Sequence, residues 1–132
     1  MKAADLFPFR QQLRAGTLAA VSALPEEHWA WKPSGGVHSI KGWLWHIAET
    51  EERLWGQEPR RRALRAEKEQ VLAYLAETRA LTERFLLETP ADALLAEPPA
   101  YERLQRIFEH ETHHRAQIYL YLRLMGLQPP RS

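Results

Sequence analysis

The sequence predicts an all-α protein: a single domain over residues 1–132, folded as a four-helix bundle. Three observations carry that expectation. Four stretches repeat apolar residues at the spacing of one helix face. Proline, glycine or a capping hydroxyl punctuates each stretch. No segment alternates apolar and polar residues in the two-residue rhythm of a strand. A chain of 132 residues is long enough for one real core, and four amphipathic helices pack most simply as a bundle.

The first helix is expected from Ala4 to Ala23, with Leu6, Phe9, Leu13, Leu18 and Val21 on its apolar side and Pro25 closing it. A loop with Trp29, Trp31, Pro33, Gly35 and Gly36 follows, and two tryptophans imply that it is packed down. Ser39 is a good N-cap for a second helix running to Trp55, with Ile40, Trp43, Leu44, Ile47, Leu54 and Trp55 on one face. After a short turn with Pro59, a third helix is expected from Ala63 to Leu87, carrying Leu64, Val71, Leu75, Leu81, Phe85 and Leu86. Thr89-Pro90 opens a short helical piece. Pro98-Pro99 starts the last helix, Tyr101 to Met125, which stops at Gly126 with Pro129-Pro130 beyond.

Composition narrows the function. A net charge of +1 and a pI near 8.1 are too balanced to argue for nucleic acid. The cluster Arg60-Arg61-Arg62 with Arg65 lies beside Glu58, Glu67 and Glu69 and reads as a solvated helix start. Absence of cysteine excludes disulfides and thiolate metal sites. No signal peptide and no membrane span are expected, hence a cytoplasmic protein.

The most informative segment is His110-Glu111-Thr112-His113-His114-Arg115-Ala116-Gln117. Positions i and i+4 of a helix share a face, so His110 and His114 can aim two imidazoles at one point. A transition metal with nitrogen ligands at roughly 2.0–2.1 Å suits such a pair. Two histidines rarely complete a site, and His46 on the second helix is the best third ligand. A remaining position left to water would make the site chemically open.

Angles test this grouping. Relative to the core stripe of the last helix (Leu104, Ile107, Phe108, Ile118, Leu122, Met125), His114 lies about 50° away and His110 about 90° away. His113 lies about 150° away and faces outward. On its own helix His46 sits about 110° from the stripe centre. The three candidates therefore line a rim between helices.

Glu111 and Arg115 fall near the centre of the last helix's stripe, and Glu51 does so on the second helix, where charge is costly. They are read either as an internal ion network or as groups serving the metal, with Glu111 as general base. His110 to His114 also fits the H-E-x-x-H peptidase pattern. Only 18 residues follow His114, without His or Glu for a downstream ligand, so a metal hydrolase is the remote alternative.

The run from His110 through Gln117, then Tyr119-Leu-Tyr-Leu-Arg-Leu-Met-Gly126 and Pro129, resembles the DinB-like/YfiT-like metalloenzyme superfamily. So do Trp31-Lys-Pro33 and Ser39-Ile40 opening a helix that reaches His46 and Glu49. One departure is Ala116, where relatives commonly carry glycine. The resemblance spans nearly the whole chain and implies a four-helix bundle with one divalent ion, Zn or Ni, held by His46, His110 and His114. It also implies a dimeric state and, by analogy with some relatives, transferase or isomerase chemistry using a low-molecular-weight thiol.

Two function classes follow. One is a metal-dependent transferase acting on a small-molecule substrate with a thiol cosubstrate, Glu111 taking the proton and Arg115 holding Glu111 ionised or steadying an anionic substrate. The other is a metal-containing stress-response or ligand-binding module without catalysis. A structural site would be closed by a fourth protein ligand, and none is obvious in the sequence. Leu120, Leu124 and Leu127, bordered by Tyr121, lie on the far side of the last helix and lead us to expect a homodimer.

Overall fold

The computed structural model describes residues 1–36, 38–56 and 67–130. Among them run five α-helices: α1 (Arg10–Ala23), α2 (Ile40–Leu54), α3 (Lys68–Glu88), α4 (Ala91–Leu95) and α5 (Pro98–Leu124). The four long helices make the expected bundle, and α4 is the expected short piece. Helix α2 packs on both α3 and α5, and α5 packs on α1. Side chains link α1 to α3: Arg10 Nε donates to Glu83 Oε1 at 2.7 Å, and Arg14 Nη1 donates to the Leu75 carbonyl at 3.1 Å. No helix among the described residues is long and apolar enough to cross a membrane.

The first helix begins later than expected. Residues Ala3–Leu6 form a 3₁₀ turn, and α1 starts only at Arg10. Pro8 is the cause, because proline has no N–H to give and clashes with the preceding turn. Phe9 and Leu18, expected inside, are 47% and 39% exposed. The N-terminal turn is instead pinned to the α3–α4 connection, where Ala3 N–H donates to Thr89 O and Ala91 N–H to Met1 O.

Helix α3 also starts late, at Lys68. Gln70 caps it by accepting the Glu67 N–H at 2.7 Å. The expected earlier turn, Leu64, Pro59 and the arginine cluster from Arg60 to Arg65 lie outside the described residues. Other boundaries match closely. The Ser39 hydroxyl accepts from Gly42 N–H at 3.1 Å. At the end of α5, Leu127 N–H bonds Leu122 O and Gly126 N–H bonds Arg123 O. Gly126 supplies the positive φ of 82° that this ending needs.

The core has two apolar halves. One holds Ala20, Val21, Ile40, Leu44, Ala48, Val71, Leu75, Ile118 and Leu122, with Trp29 and Trp31 packed on it as expected of that loop. The other holds Phe7, Leu13, Leu86, Leu94, Leu104, Ile107 and Phe108. Each fully buried Leu, Ile or Phe contributes roughly 1.5–3 kcal/mol. Between these halves, in sequence order along every long helix, come buried polar residues: Thr17 on α1, Glu51 on α2, Thr78, Arg79 and Thr82 on α3, and Glu111 on α5.

The expected apolar patch on the far side of α5 is smaller than the sequence suggested. Tyr121 is buried, meeting Trp31 edge-on at 5.8 Å, and Leu127 packs against the core. Leu120 and Leu124 remain in solvent.

Candidate metal centre

Helices α2 and α5 bring together the three histidines that the angles selected. His110 Nε2 lies 3.2 Å from His46 Nε2 and 2.9 Å from His114 Nε2, and ligand atoms of all three lie within 4.8 Å of one another. Donors at about 2.1 Å around a tetrahedral ion stand roughly 3.4 Å apart. The two spacings from His110 are therefore within about half an ångström of what one ion requires. His113, one position before His114, is exposed, as its angle required.

Protonation suits the same use. Burial, then the neighbouring His114 and His46, push the His110 pKa down to about 4. Burial also lowers that of His114, partly offset by its bond to Gln117. A neutral imidazole offers the lone pair that a metal requires.

Two of the rings are held from behind. Gln117 Oε1 lies 2.5 Å from His114 Nδ1, and Trp43 stacks on the His114 ring at 4.6 Å and 22°. His46 Nδ1 stands 4.0 Å from Glu49 Oε1, and its ring stacks on His38 at 5.6 Å and 18°. Partners on the far ring nitrogen fix ring orientation at metal sites. Thr50 differs: its Oγ1 approaches His110 at 3.5 Å on Nε2, the nitrogen that faces the other two imidazoles. Sequence reasoning did not single out His38, Thr50 or Gln117 for these places.

Behind the imidazoles lies the polar layer. Glu111 is fully buried, and both its oxygens are taken. Arg14 Nη2 donates to Oε1 and Arg14 Nε to Oε2, each at 3.0 Å. Arg79 Nη2 donates to Oε1 at 2.5 Å, and the Thr17 hydroxyl to Oε2 at 2.8 Å. Burial by itself raises the Glu111 pKa, but the Arg14 charge and hydrogen bonds, with Arg79 and Thr17, bring it down to about 2. Glu51 is held by Arg79 and by the Thr82 hydroxyl, which in turn accepts from Trp55 Nε1.

The two acidic residues flagged in the sequence thus meet, but the bases differ from those expected. Among the described residues, the ion pairs of Glu111 are to Arg14 and Arg79. Arg115 leaves the stripe centre on its long stem and lies over the Tyr119 ring at 5.6 Å. Gly16 of α1 makes room for it, since a Cβ there would stand 2.8 Å from Arg115 Nη1.

Arg14, Arg79, Thr17, Thr78 and Thr82 escaped the sequence reading. No gap in the apolar spacing betrays them: Leu18 on α1 and Leu81 on α3 continue the sequence pattern, whereas the buried positions there are Thr17, Thr78, Arg79 and Thr82.

No match is found among curated proteins. The model of the DinB superfamily matches residues 11–118, a span that includes all three imidazoles, and the chain belongs to that superfamily.

Proposed function

We propose that this protein binds one divalent ion, Zn or Ni, through His46, His110 and His114, and uses it on a small molecule with a low-molecular-weight thiol as cosubstrate. The convergence of three Nε2 atoms, two of the spacings being 2.9 and 3.2 Å, is the observation that carries the reading. When bound, such an ion supplies Lewis acidity that lowers the pKa of a thiol or water. The three imidazoles hold it, and Gln117 and Trp43 keep His114 aimed. The chain has no cysteine, so the nucleophilic sulfur has to come from outside.

Glu111 fits the brace better than the base. Its oxygens are occupied, and a pKa of about 2 leaves it little drive to take a proton near neutrality. The H-E-x-x-H hydrolase, which needs that glutamate at the metal-bound water, loses support for the same reason. Arg115, on the α1 side of α5, has no part in this reading.

A second reading, a metal-containing binding module without turnover, is favoured by this locking of the expected base. Elemental analysis of purified protein tests the shared core of both. Metal content should fall to near zero in His110→Ala and His114→Ala while the fold persists, and His113→Ala should keep its metal. Full occupancy in both of the first two variants would sink the site. Small thiols should then perturb the spectrum of cobalt-substituted protein; if none does, the binding module is the better reading.

A further inference from the structure

Arg79 belongs to α3, the one long helix besides α1 that supplies no imidazole. Its guanidinium nonetheless spans the two helices that do. Nε and Nη2 donate to Glu51 of α2 at 2.8 and 3.3 Å, and Nη2 also donates to Glu111 of α5. Glu111 follows His110 directly in sequence, and Glu51 follows Thr50, whose hydroxyl approaches His110. Arg14 repeats the bridge from α1, chelating Glu111 and lying 3.5 Å from Glu51. Two carboxylates, one on each ligand-bearing helix, are thereby joined through two guanidiniums.

This matters because metal ligands tolerate position errors of only about 0.2 Å. Apolar packing between helices is weakly directional. A guanidinium fork fixes both distance and direction, and a buried network resists displacement because any broken bond leaves a desolvated charge.

We propose that Arg79 is a positioning residue for the metal centre: it sets the spacing of α2 and α5, and hence the spread of the three Nε2 atoms. The proposal rests on the three-imidazole reading. It predicts more than a loss of stability, since Arg79 should control how the ion is held.

The test is Co(II) binding, read as affinity and as the visible spectrum, beside urea unfolding of the metal-free proteins. Arg79→Met alone leaves a buried carboxylate uncompensated and can fail to fold. The charge-balanced pair Arg79→Met with Glu51→Gln removes one charge of each sign and keeps Arg14 on Glu111. Tyr74→Phe is the control. It removes another buried α3–α2 hydrogen bond, Tyr74 Oη to Glu52 at 2.8 Å, without touching the link to α5. The pair should bind Co(II) about 10–100-fold more weakly with a shifted spectrum, whereas Tyr74→Phe should lose stability but keep both. A folded pair with wild-type affinity and spectrum overturns the proposal, as does an equal affinity loss in the control. Wild-type protein that takes up no Co(II) brings down the three-imidazole reading itself, a result distinct from either.

Discussion

Gln117 Oε1 sits 2.5 Å from His114 Nδ1, one turn along α5. An amide oxygen can only accept, so Nδ1 carries the hydrogen and Nε2 the lone pair. Gln117 therefore selects the tautomer that faces His110 and His46. Gln117→Leu should weaken divalent-metal affinity by about 10–100-fold while shifting the urea midpoint little, since the side chain is only half-buried. Competition titration against a chromophoric chelator measures it. Unchanged affinity would mean that the Trp43 stack alone orients the ring.

Glu111→Gln separates brace from base. The substitution leaves Arg14 and Arg79 facing a neutral amide in a buried layer. Breaking such a network from one side costs roughly 3–5 kcal/mol, so the urea midpoint should drop sharply. A variant as stable as wild type but slower by roughly 10²–10⁴-fold would instead restore Glu111 as the general base.

Acid should act through the same residue. Glu111 titrates at about 2 in the folded chain against 4.5 for an ordinary glutamate. The stability it contributes is fully present above pH 4.5 and is lost as pH falls towards 2, amounting to roughly 3 kcal/mol. His110 acts with the same sign over a higher range. Its folded pKa is about 4 against 6.5, so the unfolded chain binds the extra proton between those values, and the metal-free fold weakens as pH falls through them. Urea midpoints of metal-free protein should decline in two overlapping stages, and His110→Ala should flatten the upper one. A flat profile from pH 7 to 4 in the wild type would contradict the His110 assignment.

The split between what the sequence revealed and what it hid has a physical origin. Apolar periodicity and helix-end chemistry are local, which is why Ser39, Pro98 and Gly126 sit where their residue types demand. The His110/His114 pair is equally local, being one helical turn. Pro8 is local too: a helix does not run through it, and α1 begins beyond it at Arg10. Hidden were the contacts between helices. Nothing in one helix says that Arg79 will reach Glu51 and Glu111 rather than solvent, because arginine's long stem leaves its partner open. Arg115 looked central by angle yet went to Tyr119 and Gly16 for the same reason.

Self-association depends on what remains of the apolar strip on α5. Leu120 and Leu124 stand one turn apart on the same side of the helix, 53% and 57% exposed. Two adjacent leucines gain by leaving water, each by about 0.8 kcal/mol per methylene buried. A second copy presenting the same pair across a two-fold axis would cover both at once, since a symmetric interface pairs a patch with itself. Sedimentation at micromolar concentration should accordingly give a species near twice the 15.4 kDa chain mass. Leu120→Gln with Leu124→Gln should return it to one chain mass without loss of helix content, because neither side chain belongs to the buried core. Wild-type protein sedimenting as a single 15.4 kDa species would show that Tyr121 and Leu127, already folded back onto the bundle, had removed enough of the strip to leave the chain monomeric.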